Sequence, residues 1–589
     1  MDGQGKELLD RVSRQSDETE FYTPLPTGYK PGQTKFVVVV GTVMSGLGKG
    51  IFSSSLAKLL QDRGLTVSPI KLEGYLNIDS GTLNPFRHGE VFVLDDGMET
   101  DMDLGTYERM LDKDLTKDNF TTSGQIFTRV LERERRGGYL GRDVQWIPHV
   151  TGEVKSKIRE LAVRSNADVV FIEIGGTVGD YENSYYIEAM RELAFEEGPN
   201  STVWVALTYI MEPQILGEQK SKAAQLGIKR LMETGVQPAI IACRCASPVT
   251  EKIREKISLY TNVPMARVFS MHDCESIYLI PELLHDSELD SEVINMLQLD
   301  GRCDAQLAQA RWAEWAGYVQ GLSQSLRSDQ VVNIGITGKY TAVRDSYASI
   351  IKALEHAAVA FGLKVNISWI DTSDLDDSPA KAKDVAAALA SVHGIIVPGG
   401  FGARGAEGKI GCIHYAREHG MPYLGICYGF QMAVVEFARN VCGLANAHST
   451  EIDKSLDQAV IDILPEQKEI EGLGGNMRLG GRDVLISPNT LAWEMFGRPE
   501  TVRMRFRHRY EVDPKYLPTL TKHGMVFSGK APDQPIMQIL ELPDHPYFIG
   551  TQSHPCLTSR PLRPQPMFLG LIHAAAKLAG LDIAEKTKR

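Results

Sequence analysis

The sequence predicts an α/β protein that carries two α/β sheets in one chain, the first of parallel type. Lys35-Phe-Val-Val-Val-Val-Gly41 is an unbroken apolar run leading through a Gly/Lys loop, 42–50, into a helical stretch from Ile51 to Arg63. A run without polar alternation is the pattern of a strand buried on both faces, as parallel strands are. Pro422-Tyr-Leu-Gly-Ile426 has the same character. It turns at Cys427 into a second helical stretch, Tyr428 to Arg439, with Phe430, Val434, Val435 and Ala438 at helical spacing. A length of 589 residues exceeds what one core holds and allows about three to four domain-sized units.

Composition narrows the function classes. A net charge of −12 argues against a nucleic-acid backbone as main partner, which needs a basic face. Nucleotides stay open, because local lysines and backbone amides hold them. No apolar run reaches the length of a membrane span. The eight cysteines lack zinc-type spacing, and Cys243 and Cys245 stand too close for a CxxC pair, so a reducing cytoplasm is expected. Residues 1–33 are polar with mixed charge and no apolar segment, an extension rather than a secretion signal.

In chain order, the first element after that extension is a phosphate cradle. Backbone N–H groups of the 42–50 loop and the Lys49 ammonium face an anion at a helix N-terminus. The spacing departs from the standard phosphate loop: Gly41 lies two residues early, and Gly50 replaces the Ser or Thr that ligates Mg²⁺. Val67-Ser-Pro-Ile-Lys71 and Asp168-Val-Val-Phe-Ile172 read as further buried strands. Lys71 and Glu173 are placed at their carboxyl ends, where open α/β sheets hold ligands. A lysine there is equally a solubilising cap.

Ser45-Gly-Leu-Gly-Lys-Gly50, Ile70-Lys-Leu-Glu-Gly-Tyr-Leu-Asn-Ile-Asp79, His88-Gly-Glu-Val-Phe-Val93 and Asp96 to Arg109 follow one another. Phe171-Ile-Glu-Ile-Gly-Gly-Thr-Val-Gly-Asp-Tyr-Glu182 and Gly217-Glu-Gln-Lys-Ser-Lys222 come next. Over about 35–300 this series resembles the amidoligase domain of the CTP synthase family. The resemblance implies ATP-dependent conversion of UTP to CTP: phosphorylation at uracil O4, then displacement of phosphate by ammonia. It also implies Mg²⁺, feedback by CTP and activation by GTP.

By the same resemblance, Asp103 and Glu173 are metal ligands, and Lys49 and Lys71 are catalytic cations. Gly46, Leu47, Gly48, Lys49, Gly50, Asp103, Arg244 and Asp273 would hold ATP. Ser45, Asp180, Glu182, Lys220, Lys222, Gln225 and Lys256 would hold UTP or CTP. Read from the residues alone, Asp103 is equally a solvated acid beside Glu99 and Asp101, and Lys256 part of a solvated face with Lys252 and Arg254. Ala223-Ala224 stand where the family usually has Pro-Thr, which removes one hydroxyl contact.

Asp304 to Ser323 has helical periodicity through Leu307, Ala310, Trp315, Val319 and Leu322, and reads as a linker helix within 301–329. Aromatics at that spacing, Trp312 and Trp315, are core rather than a cofactor box. Val331-Val-Asn-Ile-Gly-Ile-Thr-Gly338 and Lys364-Val-Asn-Ile-Ser-Trp369 begin the second sheet, with an acidic loop over Asp371 to Pro379.

Gly394-Ile-Ile-Val397 runs into a glycine loop at Gly399 and Gly400, whose N–H groups with that of Tyr428 outline an oxyanion hole. Gly425-Ile-Cys-Tyr-Gly429 is a nucleophile elbow, small flanking residues permitting a sharp strand-to-helix turn. A helix N-terminus and a neighbouring histidine are expected to lower the Cys427 pKa. Taken alone, Cys427 is equally a buried packing residue. His554-Pro555 follows the strand at Tyr547-Phe-Ile549.

Elbow, glycine loop and late His-Pro together resemble a class I glutamine amidotransferase over about 330–585. That implies Cys427 as nucleophile, His554 as base, and glutamine held by Gly400, Tyr428, Gln431, Glu451 and Arg509, with Arg404 on a GTP-linked lid. The family's third catalytic residue is a Glu two positions after the His; here that position is Cys556.

The expected architecture is a P-loop-like parallel-sheet amidoligase over 34–300, the helical linker over 301–329 and an α/β class I glutaminase over 330–585. UTP, ATP and glutamine are the expected substrates, GTP the activator and Mg²⁺ the metal. The partner is the chain itself, as a homotetramer and in filaments, with no nucleic acid and no membrane. An amidotransferase with a carboxylate acceptor is the alternative enzyme; the Gly175 to Glu182 segment favours the pyrimidine. A polymer-forming paralogue without turnover is the alternative class, and intact Cys427, Lys49, Asp103 and Glu173 argue against it.

Overall fold

The computed structural model describes residues 25–583 apart from 140–141, 214, 216, 340–342, 377–380, 464–476, 533 and 582. Residues 1–24 of the expected extension and 377–379 of the acidic loop lie outside the described residues. The chain groups into two compact units, Met1–Asp79 with Thr106–Glu314, and Ser80–Gly105 with Trp315–Arg589. Among the described residues, no helix is long and apolar enough to cross a membrane.

The first unit is built on seven strands: β1 (Lys35–Gly41), β2 (Val67–Glu73), β3 (Phe120–Thr122), β4 (Val169–Ile174), β5 (Thr202–Tyr209), β6 (Ile240–Cys245) and β7 (Val268–His272). Their order is β3-β2-β4-β1-β5-β6-β7, and every pairing is parallel. The apolar run was a good guide here, since Val37, Val38 and Val39 are fully buried. β2 and β4 both extend beyond their expected ends. Lys71 and Glu173 therefore lie inside the strands, directly opposite each other in register. Helix α1 (Lys49–Asp62) begins at the loop lysine itself, with Gly48 before it in the left-handed region at φ 82. Helices α2 (Lys222–Met232) and α3 (Glu251–Thr261) flank one end of the sheet order.

Helix α4 (Ala305–Leu326) occupies the stretch whose spacing predicted a helix, but only its second half is core. Trp315, Tyr318, Val319 and Leu322 are buried, whereas Leu307 and Ala310 are exposed. Helical spacing fixes which residues share a stripe; it does not say what the stripe meets.

The second unit holds a mixed sheet of nine strands: β8 (Val331–Gly338), β9 (Lys364–Asp371), β10 (Gly394–Val397), β11 (Tyr423–Ile426), β12 (Arg478–Ile486), β13 (Thr501–His508), β14 (Val526–Lys530), β15 (Met537–Glu541) and β16 (Phe548–Thr551). The order is β9-β8-β10-β11-β16-β15-β14-β12-β13. The first five strands pair in parallel and the rest antiparallel. Helix α5 (Tyr428–Asn440) starts immediately after Cys427.

The turn at Cys427 is tight. Its φ of 52° lies in the left-handed region, which costs a non-glycine residue roughly 1–3 kcal/mol. The flanking glycines are required by contact: a Cβ on Gly429 would lie 2.1 Å from the Val397 carbonyl oxygen, and one on Gly425 would lie 2.3 Å from the Tyr423 hydroxyl. That hydroxyl donates to the Gly429 carbonyl oxygen at 2.9 Å and closes the turn. Gly429→Ala should therefore destabilise this unit by about 1–3 kcal/mol of overpacking and lower its thermal transition. Differential scanning calorimetry with an unchanged transition would show that the elbow has slack.

Candidate active sites

Three neighbouring strands of the second unit converge on one place. The ends of β10, β11 and β16 release, side by side, the Gly399–Gly400 loop, Cys427 and His554. The Cys427 N–H donates to the Thr551 carbonyl oxygen at 2.7 Å, tying the elbow to the strand that leads to His554. A Cβ on Gly399 would stand 3.0 Å from His554 Cε1 and 3.7 Å from Cys427 Cβ, so both side chains border one point beside the glycine loop. Gly400 has open space apart from the Tyr428 ring.

Electrostatics at this place differ from expectation. The expected lowering of the Cys427 pKa is not found: burial pushes the thiol up to about 12, and the Glu451 charge adds to it. The Arg507 guanidinium and the Tyr428 N–H pull the other way and lose. His554 is pressed down to about 3, first by burial, then by the Arg507 and His508 charges, with only the Arg507 backbone opposing. The helix dipole acts within one turn and is worth about 0.3–1 kcal/mol, too little to offset a desolvated thiolate. The pair rests as neutral thiol and neutral imidazole. His554 Nε2 is buried without a hydrogen-bond partner, open to a proton. Cys556 is buried in the short 3₁₀ turn Pro555–Thr558 that follows His554.

Of the expected glutamine contacts, Tyr428 and Glu451 stand close enough to act on the thiol. Tyr428 and Gln431 lie on the first turn of α5, and the Tyr428 hydroxyl donates to the Gly402 carbonyl oxygen at 2.8 Å. Gln431 Nε2 donates to the Tyr510 carbonyl oxygen at 3.0 Å, while its Oε1 is buried and unpartnered. Glu451 accepts from the Gly402 N–H at 2.9 Å. Burial raises its pKa, against the pull of that N–H, Lys339 and Arg509. Arg404 is exposed and donates to the Lys339 carbonyl oxygen at 3.3 Å.

In the first unit, Lys71 and Glu173 form a buried ion pair at 2.7 Å, with Glu73 3.3 Å from the same ammonium and the Tyr107 hydroxyl on the other Glu173 oxygen at 3.2 Å. The solubilising-cap reading of Lys71 fails, because it is almost fully buried. Lys49 is also buried, and its ammonium donates to the Gly176 carbonyl oxygen at 3.0 Å. Gly41 makes room for it, since a Cβ there would lie 3.1 Å from Lys49 Nζ. Ser45 and Gly46 are exposed on the loop.

Arg244, in the last residues of β6, and Asp273, just past β7, form an ion pair at 2.5 Å. Asp180 caps the Thr177 N–H at 2.7 Å, and both Asp180 and Glu182 face solvent. Lys220, Lys222, Gln225 and Lys256 line a single cavity of about 880 Å³, with Ser221, Lys252 and Tyr260. That convergence weakens the solvated-face reading of Lys256. Asp103 sits in the first turn of the helix Met102–Leu111, its N–H on Asp101 Oδ1 at 3.1 Å. It falls in the Ser80–Gly105 segment that groups with the second unit.

Two family models match the chain: the CTP synthase N-terminus over residues 35–299 and the class I glutamine amidotransferase over 342–574. A CTP synthase of Thermococcus gammatolerans is 49% identical over 543 residues, 92% of this chain and 98% of that protein. One from Natronomonas pharaonis is 47% identical over 562 residues, 95% of this chain and 99% of that protein. The chain belongs to the CTP synthase family. Among solved structures, the glutaminase domain of Trypanosoma brucei CTPS with bound acivicin is 33% identical, covering 44% of this chain and 97% of that one, with a TM-score of 0.40.

Seen as a CTP synthase family member, the chain has two groups at the thiol that its sequence did not single out. The Arg507 carbonyl oxygen accepts from the Cys427 thiol at 3.6 Å, and Gln552 Nε2 donates to its sulfur at 3.8 Å. Arg503, Arg505, Arg507 and Arg509 alternate along and just past β13, and that period-two spacing of arginines was the available signal. For the neutral thiol–imidazole pair, the sign is fixed. His554 is uncharged above about pH 3 and Cys427 keeps its proton below about pH 12. Glutamine hydrolysis should then show kcat/KM level from about pH 6 to about pH 8.5. Steady-state rates with an acid limb near pH 6.5, the ordinary imidazole value, would overturn the neutral pair.

Proposed function

We propose that this chain makes CTP from UTP with glutamine as nitrogen donor, each unit carrying one half of the chemistry. The observation that carries the reading is Cys427, held at a positive-φ elbow between a glycine loop and His554. The sulfur attacks the side-chain amide carbon of glutamine as its proton passes to His554 Nε2. The Gly400 and Tyr428 N–H groups receive the developing oxyanion. His554 gives the proton to the departing ammonia, leaving a thioester that water hydrolyses to glutamate. Glu451 and Arg509 suit the amino and carboxylate groups of glutamine, an arginine fork matching a carboxylate.

In the first unit, ATP transfers its terminal phosphoryl group to uracil O4, leaving ADP, and ammonia then displaces phosphate from the ring. Lys49 and Lys71 neutralise charge growing on the transferred group. Lys220, Lys222 and Lys256 are suited to the UTP phosphates by their shared cavity. Asp180 and Glu182 are assigned to the pyrimidine side, and Arg244 with Asp273 to the adenine side. Glu173 suits Mg²⁺, since its carboxylate already rests on a cation, the Lys71 ammonium; Asp103 is assigned to the ion by family resemblance. When bound, the ion would draw charge from the ATP phosphates. GTP control through Arg404, a homotetramer and a cytoplasmic setting belong to the same proposal, the last consistent with eight unbridged cysteines.

Cys427→Ala should abolish CTP formation from glutamine and leave formation from ammonium largely intact. Lys49→Ala should abolish both while glutamine hydrolysis persists. A product assay in which both donors fail in the first variant would sink the division of labour.

A second experiment addresses Cys556. A carboxylate in that position would accept the His554 N–H and favour the imidazolium, whereas a thiol is a weak acceptor. Cys556→Glu should raise glutamine-dependent kcat by roughly ten- to a hundredfold, by analogy with restored partners of metal-bound histidines, and leave the ammonium-dependent rate unchanged. Unaltered glutamine turnover would mean that the Arg507 backbone already orients the ring.

A further inference from the structure

β13 serves two purposes inside the second unit. Its main chain holds the thiol site: the Arg505 carbonyl oxygen accepts from the His554 N–H at 2.8 Å, and that of Arg507 accepts from the Cys427 thiol at 3.6 Å. Its side chains grip a hairpin of the same unit, whose short strands are Phe92–Val93 and Glu99–Thr100. Arg503 forks onto Asp95 with its closest contact at 2.7 Å, and Arg505 donates to the Val93 carbonyl oxygen at 3.2 Å. Arg507 donates through Nε to Glu99 Oε1 at 2.6 Å and through Nη2 to the Gly81 carbonyl oxygen at 3.0 Å.

The Arg507–Glu99 contact is more than a surface pair. Glu99 is only 6% exposed, and its second oxygen is pressed against Gly81, where a Cβ would lie 2.2 Å away. With one nitrogen on a buried carboxylate and another on the Gly81 carbonyl oxygen, the guanidinium is held in one geometry, unlike an exposed pair. The groups whose charges act on Cys427 are Glu451 and Glu511, opposing loss of its proton, and Arg507, favouring it. On His554 the charges of Arg507 and His508 act. Arg507 is the group common to both.

We propose that Arg507 and Glu99 form a positioning pair for glutamine hydrolysis: Glu99 fixes the guanidinium, and Arg507, by its carbonyl oxygen and its charge, sets how readily Cys427 gives up its proton. This rests on the reading of Cys427 as nucleophile. The hairpin runs on to Asp103, so the pair ties the thiol to the segment bearing a proposed metal ligand.

The test is alkylation of Cys427 in the full-length protein by iodoacetamide at pH 8, read by mass spectrometry, with Cys427→Ala as blank. Below the thiol pKa the rate follows the thiolate fraction, so a shift of one unit is tenfold. Arg507→Met should slow alkylation about tenfold; Glu99→Gln, which keeps a hydrogen bond to the guanidinium but removes its countercharge, should speed it severalfold, to about tenfold at most; and Arg507→Lys should stay within about threefold of the unaltered protein. A purely structural role would move the Met and Gln variants the same way. That result, or no change in either, overturns the pair. Hydrolysis surviving in Cys427→Ala would instead overturn the nucleophile reading on which it rests.

Discussion

Register between parallel strands is the constraint on which the thiol site depends. β10, β11 and β16 are neighbours, and three segments far apart in sequence meet only because all three strands end at the same edge. The Cys427 N–H on Thr551 fixes how far the elbow projects relative to the strand that leads to His554. A slip of one residue would turn every side chain of β11 to the opposite face. The cysteine and the histidine would then part company even with each strand intact. The elbow adds backbone strain at Cys427, and the packing of Gly425 and Gly429 against Tyr423 and Val397 sustains it.

The first unit obeys the same geometry with a different outcome. Toward the carboxyl ends of its strands stand Lys71 and Glu173, paired across neighbouring strands, rather than a thiol. Lys49 reaches back from the start of α1 to Gly176, across the loop that separates β1 from its helix. The spacing that departs from the standard phosphate loop thus has a physical reason: Gly41 is small to admit the ammonium, not to shape the loop.

Strands such as β8 and β10 were legible to the residue, because a buried parallel strand leaves an uninterrupted apolar run bounded by glycine. So was the meeting of Cys427 and His554 beside the glycine loop, because their local motifs survive in sequence. What sequence could not give was the field at the thiol. A helix N-terminus and a histidine argue for a low pKa, but burial is a property of the whole fold, and burial wins. Arg507 and Gln552 were missed for a related reason. Gln552 acts as a plain amide and leaves no residue-type signature, and Arg507 left only the alternation of arginines along β13. The exposed first half of α4 shows the same limit, since periodicity is blind to the partner.

The Lys71–Glu173 pair has a consequence for what the sheet can give up. Burying a lone charge is expensive, whereas a matched pair with further hydrogen bonds is tolerated. Glu73 also touches the ammonium, and the Tyr107 hydroxyl the carboxylate. Drawing Glu173 away would leave Lys71 against Glu73, so the ammonium keeps a countercharge in the low dielectric. The pair can thus be parted from the carboxylate side without stranding the lysine, and without any moving part.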